Sequence, residues 1–361
     1  MVFILCDTIH FMPKKFLRPE LFIYISLVFF LGMFFILSLY SEDVSEVSDD
    51  RLLQYYLKST TDKLLWSALI LFFVFYIRVG FFLIIVHIKR SFPPAVFSWQ
   101  QMLVYLKKSF SRVAKDLLQA GIPFVLAFFT LTLAIRQLNV FNAARLQDEL
   151  LVGWDIFLTH TFLPFTIASI HYPAWFVTAV DFSFGYLGGI LALFAAYLFQ
   201  TRQSLFREAG GAFFLGLMIM FIGWMLFPAL SPQDRFLDNI YELPVEESIE
   251  PYMAAYHPQE EITVFLEEVR GQKALLQFLP TTTMPSAHVA WALLLVYYSY
   301  RAFRWLIVLF LPFAILSSIG TVLFAQHYFV DIPAGIAIGI LSIWVARRLA
   351  MWKEDSSPTK A

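Results

Sequence analysis

The chain alternates long apolar runs with short polar breaks, and this pattern predicts a bundle of membrane-spanning helices. Each full run approaches the ~20 residues with which a helix crosses a hydrocarbon core of ~30 Å. The expected fold class is therefore all-α, a polytopic membrane protein with about eight transmembrane helices. The predicted spans are residues 21–40, 64–88, 120–141, 174–199, 209–230, 286–301, 304–325 and 329–350.

Composition supports the membrane class and excludes several others. Of the 361 residues, 59% are hydrophobic and 15% are charged, whereas typical soluble domains have ~45–50% and ~25%. The single cysteine, Cys6, excludes an intrachain disulfide and a cysteine-based metal site. No exposed basic tract suggests nucleic acid, so the expected partners are the bilayer and lipid molecules.

The distribution of basic residues predicts the orientation of the spans. The run at 21–40 is longer than the ~7–15 apolar residues of a signal peptide and no small-residue cleavage pattern follows it, so it is predicted to remain as the first span. Eight spans place both termini on one side, where most of the 26 basic residues also fall. Because basic segments mark the cytoplasmic side, we expect both termini there. The loops before residues 286 and 329 then face the periplasm, the cell exterior or an organelle lumen.

Three segments are too polar to span the membrane. They are a basic amphipathic helix predicted on the cytoplasmic lipid surface at 95–118, an outer interfacial segment at 142–173, and an acidic outer cap at 231–283. The predicted organisation is an N-terminal unit of two spans and the amphipathic helix at 1–118, a membrane core including the cap at 119–351, and a cytoplasmic tail at 352–361.

The last polar break, at residues 326–331, places a histidine and a carboxylate at the start of an apolar helix. A titratable group at membrane depth is costly and is a functional-site candidate by default. Residues four apart share a helix face, so Asp331 is expected to bond one ring nitrogen of His327 and fix its tautomer. The other nitrogen is then free to attack phosphorus. Gly335 and Gly339 follow and allow close helix packing.

A second polar break, Met284-Pro285-Ser286-Ala287-His288, has the residues of a helix start. Ser286 is the expected N-cap. The unpaired N–H groups and the helix dipole at such a position favour an anion such as phosphate. His288 lies in the first turn, within reach of that phosphate, and is a candidate for protonating a leaving oxygen.

Three further polar residues are weaker candidates. Arg235 follows the fifth span in a proline-containing segment and is a candidate phosphate clamp. Asp155 and Arg145, in the outer segment, are candidate substrate contacts; the alternative is that Asp155 caps a helix or pairs with Arg145 or Arg136. The carboxylates of 231–283 have no ligand-like spacing with histidine, so we expect no metal and no cofactor.

The order of these motifs resembles the phosphatidic acid phosphatase type 2 superfamily over roughly residues 120–350. Met-Pro-Ser-Ala-His-Val-Ala-Trp and Gln-His-Tyr-Phe-Val-Asp-Ile-Pro-Ala-Gly are more similar to its branch of inositol phosphorylceramide synthases and related inositolphosphotransferases. The resemblance implies a six-helix core in which His327 forms a phosphohistidine and Asp331 orients it. It also implies that His288 is the general acid and that Ser286 binds phosphate.

The chain departs from the superfamily pattern at its phosphate clamp. Thr321 stands where the third motif normally has arginine, Ala287 replaces a glycine, and the first motif Lys-x6-Arg-Pro is absent. The missing arginine also fits the transferase branches. The preferred hypothesis is transfer of a phospho-headgroup, inositol phosphate by resemblance, from a phospholipid donor to a lipid or sugar hydroxyl.

Two alternatives stay open at this point. One is hydrolysis of a lipid phosphate or a polyprenyl diphosphate at the same site, with water as the acceptor. The other is a lipid transporter without covalent chemistry, which the position of the polar residues at the outer ends of the spans disfavours. The sequence neither requires nor excludes a partner subunit.

Overall fold

A computed structural model describes residues 21–40, 122–239, 243–245, 247–273 and 280–355. The predicted span at 64–88, the predicted amphipathic helix at 95–118 and most of the predicted tail at 352–361 lie outside these residues. The described residues are mainly helical, and no strand occurs among them. A π-helical segment (Gln233–Leu237) and a 3-10 turn (Arg304–Leu306) accompany the α-helices. The α-helices are α1 (Leu21–Tyr40), α2 (Ile122–Asn142), α3 (Asp148–Thr159), α4 (Leu163–Ala168), α5 (Ala174–Gly185), α6 (Leu187–Thr201), α7 (Gln203–Leu226), α8 (Glu250–Ala254), α9 (Glu260–Lys273), α10 (Ala287–Ala302), α11 (Ile307–Leu323) and α12 (Asp331–Asp355).

In the described part of the chain the apolar runs form helices, which confirms an all-α membrane fold. Within the described residues, five helical stretches are long and apolar enough to span a membrane: α1, α2, α7, the 3-10 turn with α11, and α12. The run at 286–301 forms α10, which has 16 residues and packs among α7, α11 and α12.

The predicted span at 174–199 is not a single straight helix. It consists of α5 and α6, which meet at Tyr186 with a bend of 53° and together form a sixth candidate span. Gly185, Gly188 and Gly189 surround the break. Because glycine weakens helix interiors, this cluster gives a physical reason for the bend.

Helix α7 lies at the centre of the bundle, in contact with α1, α10 and α12. Its side chains Phe214, Met220 and Phe221 are completely buried. Phe30 of α1 packs against Phe221 with ring centroids 5.7 Å apart. Close van der Waals packing of this kind drives the association of helices in a membrane, and α7 contributes many of the side chains in the buried core.

The acidic segment predicted as an outer cap folds into the π-helical segment, α8 and α9. Helix α9 packs against α5. The Gln233 side chain donates to the Leu266 carbonyl at 2.9 Å, and Arg270 forms an ion pair with Asp238. These contacts hold α9 against the chain that leaves α7.

Candidate active site

The two histidine motifs meet at one end of the bundle. Helix α10 begins at Ala287 and α12 begins at Asp331, and both starts lie at the end where α7 and α11 terminate. The backbone N–H of Ser286 donates to the Asp331 carbonyl at 3.3 Å, which joins the two helix starts directly. The motifs, 41 residues apart along the chain at Ser286 and His327, therefore form one site.

The surroundings of His327 fix the proton on its ring. Nδ1 lies 3.0 Å from Asp331 Oδ2 and 3.1 Å from the Thr283 carbonyl oxygen. Both neighbours are acceptors, so the ring hydrogen belongs on Nδ1 and Nε2 carries the lone pair. Nε2 lies 3.4 Å from the Ser286 hydroxyl. The ring thus presents a basic nitrogen towards the start of α10, as the spacing of His327 and Asp331 predicted.

Burial also favours the neutral form of this ring. His327 is 7% exposed. Burial lowers the pKa of His327 to about 4; the hydrogen bond to the Thr283 carbonyl opposes this shift, and the Lys273 ammonium adds to it. At neutral pH the imidazole is therefore uncharged, which is the form that acts as a nucleophile.

His288 lies beside His327 and is oriented by aromatic packing. The two imidazole centroids are 6.0 Å apart at an interplanar angle of 65°. His288 stacks on Phe184 of α5 with centroids 4.5 Å apart and planes at 10°. Since reacting atoms approach to ~3–3.5 Å, a phosphorus atom between the two rings would be within reach of both.

Ser286 caps α10, as its position in the sequence predicted. Its side chain accepts from the Val289 N–H at 3.4 Å, and the residue is fully buried. The chain before it is held by other helices: Trp224 Nε1 of α7 donates to the Pro285 carbonyl at 3.0 Å, and the Thr281 N–H donates to Asn139 Oδ1 at 3.0 Å. The N-terminus of α10 is therefore fixed next to His327.

Gly335 of α12 allows the close contact between the two helix starts. A Cβ atom at this position would lie 2.5 Å from the Ser286 carbonyl oxygen and 3.1 Å from Val289 Cβ. One turn later, a Cβ on Gly339 would lie 3.4 Å from the backbone of Ala290. The predicted role of these glycines in close helix packing agrees with the contacts.

Two carboxylates of α3 contact the loop that carries His327. Asp155 accepts the N–H groups of Phe329 and Val330, each at 2.8 Å. Asp148 accepts the Tyr328 hydroxyl at 2.8 Å. Burial raises the pKa of Asp155 to about 7 and that of Asp148 to about 6, although their hydrogen bonds act in the opposite direction. The sequence suggested capping as one interpretation of Asp155 but gave no partner for Asp148.

Arg235 and Arg145 are engaged elsewhere. Arg235 is buried, and its guanidinium donates to the carbonyls of Leu243 at 3.4 Å and Pro244 at 2.7 Å. Arg145 is exposed and lies over the Phe141 ring, 4.8 Å from its centroid. Neither guanidinium has a described contact with the histidine pair, so their binding of phosphate or substrate stays a prediction.

Lys273 is a cation near the site that sequence reasoning missed. Its ammonium, at the end of α9, lies 2.7 Å from Asp234 Oδ2 and 3.3 Å from Gln326 Oε1. Gln326 directly precedes His327, and the Lys273 charge is close enough to affect the pKa of that ring. A lone lysine in an acidic segment carries no motif, so only the fold reveals this position. No metal-binding cluster of His, Cys, Asp or Glu occurs in the described part of the chain.

Comparison with known proteins agrees with this site. The family model described as PAP2 superfamily matches residues 150–345, a segment that contains both histidine motifs, α7 and most of α3. No curated protein and no solved structure gives a significant match. The matched segment is more than half of the chain. The protein therefore belongs to the PAP2 superfamily, whose helical membrane proteins generally act as phosphatases or phosphotransferases on lipids.

Proposed function

We propose that this protein is a membrane-embedded phosphotransferase that moves a phospho-headgroup from a phospholipid to a hydroxyl acceptor through a phosphohistidine on His327. The observation that carries the proposal is the geometry of this ring. Asp331 and the Thr283 carbonyl hold the hydrogen on Nδ1, and Nε2 faces the capped start of α10. Superfamily membership supports lipid phosphoester chemistry at this position.

The proposed reaction has two displacements at phosphorus. In the first, the Nε2 lone pair of His327 forms the N–P bond, the bond from phosphorus to the diacylglycerol oxygen breaks, and His288 donates a proton to that oxygen. Asp331 stabilises the positive charge that develops on the ring. In the second, His288 takes the proton of the acceptor hydroxyl, whose oxygen attacks phosphorus and releases His327. Positioning and charge stabilisation are sufficient for such in-line steps.

The donor is proposed to be phosphatidylinositol, and the acceptor a lipid or sugar hydroxyl. The support is the likeness of the motifs around His288 and His327 to the inositolphosphotransferase branch, together with Thr321 in the place of the usual arginine. With water as the acceptor, the same steps give a phosphatase, which is the second candidate function.

The site is proposed to open on the non-cytoplasmic side. Arg301 and Arg347 lie near the C-terminal ends of α10 and α12, opposite to the helix starts that carry His288 and Asp331. Arg301 pairs with Glu208, near the start of α7, at 3.2 Å. Because basic residues mark the cytoplasmic side, these arginines support the proposal that this end is cytoplasmic and that the histidines lie at the opposite end of the bundle.

A headgroup-transfer assay tests the proposed function. The purified protein in vesicles receives phosphatidylinositol labelled in the inositol ring, with and without a ceramide acceptor. Transfer predicts a new labelled lipid and an equal amount of diacylglycerol, both dependent on the acceptor. Soluble labelled inositol phosphate instead identifies hydrolysis. Label that only moves between leaflets, with no diacylglycerol formed, contradicts both and supports transport.

We further propose that Lys273 neutralises charge on the bound phosphate, the role that the missing arginine leaves open. Replacement of Lys273 by methionine is expected to lower kcat/KM for the phospholipid by about tenfold, because a charge-assisted hydrogen bond contributes ~1.5–3 kcal/mol. Lys273→Arg should retain most activity. The measurement is the same headgroup release across a range of donor concentrations.

The control for Lys273 removes its buried partner as well. Asp234 is 1% exposed, so Lys273→Met leaves an unpaired carboxylate in the interior, and loss of activity in this variant alone has two explanations. The double variant Lys273→Met, Asp234→Asn removes both charges. Normal kcat/KM in the double variant would show that the lysine acts only as the partner of Asp234.

A further inference from the structure

We propose that helix α3 positions the catalytic loop, with Asp155 as the positioning residue that fixes the backbone of residues 329–330. The inference rests on the proposed role of His327 but concerns a residue outside the two histidine motifs. It assigns to α3 a part in catalysis that needs no contact with the substrate.

The contact of Asp155 with the loop is bidentate. One carboxylate oxygen accepts the Phe329 N–H and the other accepts the Val330 N–H, both at 2.8 Å. These two N–H groups belong to the turn directly before α12. Asp155 is completely buried, so a carboxylate from another helix satisfies two backbone donors of this turn.

The same loop is held to α3 at a second point. The Tyr328 hydroxyl donates to Asp148 Oδ1 at 2.8 Å, and that oxygen also accepts the Leu230 N–H at 2.9 Å. Asp148 and Asp155 are seven residues apart, which places them two turns apart on one face of a helix. Helix α3 is therefore hydrogen-bonded to the loop at three consecutive residues, 328 to 330.

These contacts bear on the geometry of the nucleophile. The gripped residues are the entire chain between His327 and Asp331, and the Tyr328 N–H bonds to the same Asp331 oxygen that orients the imidazole. A shift of this backbone would change the distance between Nδ1 and the carboxylate. A misplacement of ~1 Å can lower a rate ~100-fold. Loss of the Asp155 hydrogen bonds is therefore expected to lower kcat.

The geometry also argues against Asp155 as a substrate contact. Both of its oxygens are already engaged in short hydrogen bonds, and its side chain has no solvent exposure. A substrate hydroxyl would have to displace a backbone N–H whose acceptor among the described residues is Asp155. A positioning role is consistent with these contacts.

The test compares Asp155→Asn with Glu149→Gln in the full-length protein in vesicles. The asparagine oxygen can accept one N–H, but its NH₂ group faces the other N–H, so one of the two hydrogen bonds is lost. Glu149 lies on the exposed side of α3, so its variant removes one carboxylate from the same helix without touching the loop. The readouts are amide hydrogen exchange of the peptide containing residues 325–331, and kcat and KM for headgroup release.

For Asp155→Asn we expect about tenfold faster exchange in that peptide and a fall in kcat of about 100-fold with KM within about twofold. Glu149→Gln should leave both readouts unchanged. Tyr328→Phe, which removes only the bond to Asp148, should give a smaller change in the same direction and provides a second route if Asp155→Asn does not fold.

The two readouts separate failure of the inference from failure of the proposed function. Unchanged hydrogen exchange in Asp155→Asn would show that Asp155 does not hold the loop in place, whether or not the protein is active. Faster exchange with unchanged kcat would show that Asp155 stabilises the loop without positioning the nucleophile, which also overturns the inference. If the wild-type protein releases no headgroup while exchange responds as expected, the proposed reaction fails and the contact stands.

Discussion

Replacement of His327 by alanine is expected to reduce headgroup release by about 10⁴-fold or more, because removal of a nucleophile leaves only binding and electrostatic effects. The ring is held at Nδ1 by Asp331 and the Thr283 carbonyl. His288 stacks on Phe184, and its proposed role is that of acid and base. The measurement is the rate of diacylglycerol formation, together with labelled phosphate retained on the protein after a rapid quench.

His171 provides a matched control for this substitution. The segment His171-Tyr172-Pro173 imitates the start of the third motif, but Trp175 occupies the position four residues on, where the motif needs a carboxylate. His171 is exposed, so His171→Ala should keep kcat within about twofold. A His327→Ala protein that folds normally and still turns over at the wild-type rate would rule out the phosphohistidine mechanism.

The parts of the site that were predictable from sequence are local. His327 and Asp331 are four residues apart at a helix start, and Ser286 precedes an apolar helix, so helix geometry alone relates each residue to its neighbours. The hydrophobic runs predict the helices for the same reason, since a helix that must cross ~30 Å of hydrocarbon needs a continuous apolar surface. The basic residues predict both motifs on one side of the membrane, which a shared site requires, but the meeting of the two motifs is visible only in the fold.

The contacts that sequence reasoning missed join residues far apart in the chain. Tyr328 and Asp148 are separated by 180 positions, and no periodicity relates them. Lys273 ends a cap helix, and its ammonium pairs with Asp234 of the π-helical segment, so its proximity to Gln326 depends on how the cap packs. The expectation for Arg235 came from its place after a span, but the direction of its guanidinium is set by the carbonyls of Leu243 and Pro244.

The reacting groups and the residues proposed to support them come from different segments of the chain. In the proposed mechanism the two histidine motifs supply the reacting groups, while α3 and the cap contact the loop around His327 from outside the motifs. Asp155 and Lys273 are proposed to act on the site although neither belongs to a recognisable motif. Variation in such supporting residues would leave both motifs intact and still change the rate.

The second large effect is expected from Gly335→Ala. The new Cβ would lie 2.5 Å from the Ser286 carbonyl oxygen, a backbone atom that cannot rotate away, so α12 and the start of α10 must separate. Overpacking of this kind typically costs ~1–3 kcal/mol of stability. The separation would also move Asp331 relative to Ser286 and His288, and we expect kcat to fall by about 100-fold.

Gly32→Ala is the matched control, because nothing lies within 4 Å of a Cβ at that position in α1. Alanine is favoured over glycine in a helix by ~1 kcal/mol, so this variant should be at least as stable as the wild type and equally active. Thermal unfolding and kcat, measured for both variants in the same vesicles, separate the two expectations. The added methyl group must separate the starts of α10 and α12. If Gly335→Ala nevertheless keeps the wild-type kcat, the close contact between these helix starts is not needed to assemble the histidine pair.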